Sequence, residues 1–175
     1  MTWTIWFWWG LFGLAWAWLT LFLHEGSHAA AILLSGHEVT IWKPYPHVWR
    51  DSFGRRYFYW GRASSGTQDL GPFWEVAHKF APLVVVGGVM VGAGGGLLAG
   101  GPPEHPAAQA ALGWALGWPA IDRFWLFLLG ALGRGDHREA SVRLGWSRAT
   151  EAVVGVLGMM LVTAWVSGVA FRVMF

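Results

Sequence analysis

Apolar residues in this chain come in long blocks, not in the short alternating stretches of a small soluble core. From Trp3 to Leu23 there is no charged residue. A second apolar block runs from Phe80 to Gly101. A third, from Ala107 to Ala131, is broken only by Asp122 and Arg123, and a fourth runs from Ala152 to Phe171. Each is near or above the ~20 residues that a helix needs to cross the hydrocarbon core of a bilayer. The pattern predicts four transmembrane helices, at about 4–35, 76–101, 107–133 and 150–173. The first is longer than a bilayer is thick, so it tilts or emerges on one side. Gly36 is placed to cap it.

The pattern changes after Gly36. His37–Trp42 and Arg56–Trp60 are rich in β-branched and aromatic residues, and Asp51-Ser52-Phe53-Gly54 between them is a turn sequence. This predicts a β-hairpin over about 37–62, with Pro44 and Pro46 limiting regular pairing on one arm. Ser64–Thr67 reads as a loop. In the second helix, Gly88/Gly92 and Gly92/Gly96 are small-xxx-small pairs that predict close helix packing. Asp136–Arg148 is polar and predicts an interfacial helix. The expected fold is therefore an all-α polytopic membrane protein with a β-hairpin after the first helix, a single domain over 1–175.

Composition agrees with this. Hydrophobic residues make up 55% of the chain, with 15 Trp, and charged residues only 13%. Soluble domains carry about 25% charged residues. One small core could not bury that much apolar surface, so the bilayer is the expected partner. The first apolar run is not read as a signal peptide: it lacks a basic leader, and its helical pattern continues through His28. With no cysteine there is no disulfide framework and no thiolate metal site.

Charge placement gives a topology. Lys43, Arg50, Arg55, Arg56, Arg62 and Lys79 lie between the first two apolar blocks, and Arg134, Arg138, Arg143 and Arg148 between the last two. The opposite side has only Arg172. The positive-inside rule makes the basic side cytoplasmic and both termini non-cytoplasmic in a multi-pass protein of the cell membrane. A nucleic-acid partner is not expected, because there is no basic patch on a folded domain to bind one.

The candidate chemistry lies in Leu23-His24-Glu25-Gly26-Ser27-His28, an H-E-x-x-H pattern on a predicted helix. Histidines four residues apart lie on one helix face, so both imidazoles can reach one metal. Glu25 is placed to act as a base on a water without ligating the metal. Ionisable residues within an apolar span are costly and usually functional. The competing reading is that the three hydrogen-bond neighbouring helices. A catalytic zinc needs a third protein ligand and one open position. Asp122 lies in an apolar span at nearly the same depth as His28, and its alternative is an ion pair with Arg123. Asp136 is the other candidate, its alternative being a helix N-cap after Gly133-Arg134-Gly135. His37, His47, His78, His105 and His137 have no partner at ligand spacing and read as surface residues. Two His plus a carboxylate suit zinc.

On His24-Glu25-Gly26-Ser27-His28, on Pro119-Ala120-Ile121-Asp122 and on the hairpin after the first helix, the chain resembles the site-2 protease family of intramembrane zinc metalloproteases. The resemblance covers most of the layout but only about ten residues of motif. It implies a zinc ion held by His24, His28 and Asp122, with Glu25 activating the water. It also implies a hairpin edge that holds the substrate as an added strand. The implied activity is hydrolysis of peptide bonds in membrane-spanning substrates near the cytoplasmic face. The family usually has an Asn before its Pro and a Gly after its Asp. Here Gly117 and Trp118 precede Pro119, and Arg123 follows Asp122.

Two other classes compete with this one. A non-catalytic membrane protein of the same fold, a regulator or chaperone of membrane proteins, would not need Glu25. A metal transporter would need polar residues along a path through the bilayer, whereas here they cluster at one depth.

Overall fold

The computed structural model describes residues 3–50, 53–66 and 69–174. Helix α1 spans Trp3–Leu34. It is followed by four short strands, β1 (Ile41–Lys43), β2 (His47–Arg50), β3 (Arg56–Tyr59) and β4 (Arg62–Ser64). Helices α2 (Pro72–Gly100), α3 (Pro106–Ala131), α4 (Gly135–Arg143) and α5 (Arg148–Met174) complete the chain. Three of the helices, α1, α2 and α5, are long and apolar enough to cross a membrane. The third expected span meets that test only when α3 is joined to α4 across a 53° bend.

The helix ends have local causes. Gly36 takes φ 81° after α1, and His37 N–H returns to the Ile32 carbonyl at 3.3 Å, so the expected glycine cap forms. Pro72 and Pro106 open α2 and α3, where a missing N–H costs nothing. The His105 ring accepts from Ala107 N–H at 3.2 Å at the start of α3.

α3 packs against α1, α2 and α5. Met90, Leu116, Ala120, Val162 and Val169 form a buried cluster among α2, α3 and α5. Lipid is as apolar as these side chains, so close fit rather than water exclusion must hold such helices together. Gly155 and Gly158 provide that fit. A Cβ on Gly155 would fall 2.6 Å from the Phe127 carbonyl oxygen, and one on Gly158 2.3 Å from the Phe127 ring. The expected packing through Gly88, Gly92 and Gly96 is not found: a Cβ at any of the three meets nothing within 4 Å. In α2 it is Gly94 that takes a neighbour, the Trp165 indole, at 2.8 Å from such a Cβ. The outward faces remain apolar, with Val84 and Leu161 each 72% exposed. In water such faces would be a liability.

The hairpin forms, but not with the expected arms. β2 pairs with β3 (His47↔Tyr59, Arg50↔Arg56), and β1 pairs with β4 (Ile41↔Ser64, Lys43↔Arg62). Segment 37–42 was expected to face 56–60, yet its last two residues pair with Ala63 and Ser64. Pro44 and Pro46 break the ladder between the two halves, because proline has no N–H to donate. Ser64, expected in a loop, ends β4. Asp51 and Ser52 of the expected turn, and Thr67 of the expected loop, lie outside the described residues. β4 lies against α1, which places the hairpin over the His24–His28 end of that helix.

The polar segment after α3 is shorter than expected. α4 ends at Arg143. Gly133 and Gly135 both take φ 66°, a region costly for any residue with a Cβ, and so turn the chain sharply before α4. α4 lies against α2 and α3, and its polar first turn is brought back toward α1.

Candidate metal centre

His24, Glu25 and His28 lie on the stretch of α1 covered by β4, α2 and α4. Glu25 and His28 are buried. One nitrogen each from His24 and His28 and one oxygen of Asp136 lie within 4.8 Å of one another, so this group could hold a metal ion. Asp136 comes from the first turn of α4. The competing reading of Asp136 as an N-cap does not hold: Arg134 is the cap residue, and its side chain makes no capping hydrogen bond.

The ring tautomers follow from the partners. His28 Nδ1 lies 2.7 Å from the main-chain oxygen of His78. A carbonyl only accepts, so Nδ1 carries the proton and Nε2 is left free. Nε2 lies 3.3 Å from Asp136 Oδ2. The other oxygen of Asp136 accepts from Lys79 Nζ at 3.1 Å, and Lys79 also reaches Glu139 at 2.7 Å.

His24 is held differently. Its Nδ1 lies 3.2 and 3.3 Å from the two oxygens of Asp122. The carboxylate accepts, so this nitrogen also carries its proton, and Nε2 is the free one. Asp122 pairs in turn with the Arg123 guanidinium, which is buried and also approaches His24 Nδ1 at 3.4 Å. The ion pair expected between Asp122 and Arg123 is therefore present. Asp122 meets His24 through Nδ1, and the group of three that could hold a metal ion is completed by Asp136.

Two residues that shape this site are not among those expected to. One is Pro82, buried inside α2. Having no N–H, it cannot bond the carbonyl four residues back, which is that of His78. That freed carbonyl is the one that fixes His28. The other is Gly61, between β3 and β4. A Cβ there would fall 2.5 Å from Glu25 Cγ, so any other residue would have to displace the Glu25 side chain. A glycine inside a strand pattern is the signal that could have found it, since it marks close backbone approach. The expectation that His78 and His137 are surface residues is corrected: both are buried.

Two clefts meet here. One, of about 710 Å³, is walled largely by indole and aliphatic side chains of α1 and α3. The other, of about 870 Å³, is lined by charged residues of the hairpin, α2 and α4. Both are bordered by Glu25, Gly61, Gly135 and Asp136. No family model, curated protein or solved structure matches the chain.

Proposed function

We propose that this chain is an intramembrane metalloprotease, with zinc held by His24, His28 and Asp136 and with Glu25 as the base. The observation that carries the reading is the convergence of three ligand atoms within 4.8 Å beside a buried glutamate. Both rings have Nδ1 committed to an acceptor, which leaves Nε2 available to a cation. In this reading Asp122 orients His24 instead of ligating the metal, a departure from the role that the family resemblance gives it. Zinc bound there supplies Lewis acidity and lowers the pKa of a coordinated water toward neutrality. Glu25 takes the proton of the attacking water and delivers it to the leaving amine.

The substrates on this reading are membrane-spanning proteins, and α3 is the fourth span beside α1, α2 and α5. The basic hairpin and α4 lie on the cytoplasmic side, the termini on the other, and cleavage takes place near the cytoplasmic surface. The alternative is a non-catalytic membrane protein of this fold. The close crossing of Gly61 over Glu25 favours it, since the base is covered by the hairpin.

Purified protein and its Glu25→Gln variant, both in nanodiscs, separate the two readings. We expect about one zinc per chain in both, with cleavage of single-span test substrates only in the wild type. Equal cleavage by the variant, or no zinc in either after zinc is supplied, would overturn the protease reading.

A further inference from the structure

The hairpin carries two pairs of like charges directly opposite each other, Lys43↔Arg62 and Arg50↔Arg56. Such pairs destabilise a sheet unless something offsets the charge. The first pair is provided for. Both cations lie over the Trp49 ring, Lys43 Nζ 5.4 Å and Arg62 Cζ 4.9 Å from its centroid. The second pair is not. Arg50 and Arg56 are exposed, and neither meets a carboxylate or an aromatic ring among the described residues.

Residues two apart on a strand share a face. Arg50 and Arg56 therefore project on the same side as the facing pair Val48↔Phe58 and as Trp60, whose ring meets Phe58 at 5.3 Å. Val48, Phe58 and Trp60 are each at least 60% exposed, a patch that water would penalise. Trp60 borders the apolar cleft together with Trp18, Ile121 and Trp125, which are exposed residues of α1 and α3. At the root of the hairpin, Trp42 meets Phe22 of α1 at 5.4 Å. This face of the hairpin thus continues the apolar outward surface of the long helices. The opposite face looks elsewhere: Tyr59 borders the charged cleft.

We propose that this face of the hairpin docks on the membrane leaflet, and that Arg50 and Arg56 together hold the phosphate of an anionic phospholipid. Val48, Phe58 and Trp60 lie in the interfacial layer that aromatic side chains favour. The arginines bury their stems beside them and carry their charge up to the headgroups. Each guanidinium donates to phosphate oxygens, so one phosphate between the two turns a repelling pair into a clamp. A zwitterionic headgroup brings its own cation and leaves the second arginine unmatched, which is why the lipid is anionic. The same hairpin crosses Glu25 at Gly61, so the leaflet also holds the cover over the site. Lipid docking requires neither the metal nor catalysis.

Native mass spectrometry of the full chain in neutral detergent tests this. The probes are phosphatidylglycerol and phosphatidylcholine with the same acyl chains. Phosphatidylglycerol is expected to bind about tenfold tighter. Arg50→Gln combined with Arg56→Gln should bring it down to the level of phosphatidylcholine. Lys43→Gln combined with Arg62→Gln, which removes the same charge from the pair over Trp49, should change it less than about twofold. Glycerol phosphate, the headgroup without its chains, should not displace the lipid at equal concentration, because it gains nothing from the apolar face. Equal binding of the two lipids to the wild type, which needs no variant, overturns the docking. So does a preference that survives loss of Arg50 and Arg56. Equal losses in the two double variants would reduce the effect to net charge, and displacement by glycerol phosphate would reduce it to a free-anion site; either result also overturns it.

Discussion

His24 and His28 are the same residue type one turn apart, and both offer a nitrogen to the same group with Asp136, yet the protein fixes them by opposite means. His24 is held by charge: its Nδ1 meets Asp122, and Asp122 meets the buried Arg123. His28 is held by neutral backbone: its Nδ1 meets the His78 carbonyl that Pro82 leaves unpaired. In a low-dielectric setting a carboxylate needs its own counter-ion, and Arg123 provides it. A carbonyl needs none. On the metalloprotease reading, an Asp beside a histidine ligand is not thereby a ligand itself. The ring atom it meets decides its part.

The largest effect expected is at the carboxylate on the Nε2 side. Asp136→Ala removes a ligand and should leave the purified protein without zinc. Asp122→Ala removes an orienting group and should weaken zinc affinity about 10- to 100-fold while keeping a site that fills at high zinc. Competitive chelator titration of the two variants measures both. Zinc lost from the Asp122 variant and kept by the Asp136 variant would exchange the two assignments.

A smaller effect tests the backbone side. Pro82→Ala restores an N–H that competes for the His78 carbonyl, so the His28 ring loses its anchor. Zinc affinity should fall about tenfold. The helix itself should gain, since proline is about 3 kcal/mol worse than alanine inside a helix. Affinity and thermal stability of the apo protein should therefore move in opposite directions. If both fall together, Pro82 serves only packing and the His28 argument fails.

These contrasts also show what a reader of the sequence could and could not see. The helices were legible because their apolar blocks are long and the H-E-x-x-H spacing is local. Gly36 was legible because a glycine after a periodic block has one common use. Asp122 against Asp136 was not decidable, since both lie near the end of the third block. What brings Asp136 beside His28 is the turn at Gly133 and Gly135, which sends α4 back across α2. Hairpin register was misjudged because the arm nearest the helix looked most strand-like, while Pro44 and Pro46 pushed the outer pairing out to Arg62–Ser64. The glycine pairs of α2 misled for a related reason. Small residues show where a neighbour could approach, and the neighbour came to Gly94 instead.

The smallest effect expected concerns what holds α4, and with it Asp136, in place. Arg143 Nε meets Glu75 Oε2 at 2.5 Å between α4 and α2, but the arginine side chain is 58% exposed. Exposed pairs contribute about 0–1 kcal/mol and are screened by salt. The inner face of α4 buries His137, Ala140 and Ser141, with Ser141 donating to the His137 carbonyl at 2.6 Å. Buried packing of this kind costs several times more to disturb. Arg143→Gln and Glu75→Gln, alone and together, should therefore change zinc affinity less than about twofold, and raised salt should erase even that. Ala140→Leu, which overfills a fully buried position, should weaken zinc binding clearly more. A tenfold loss from Arg143→Gln at moderate salt would show that a surface ion pair, and not the buried face of α4, positions Asp136.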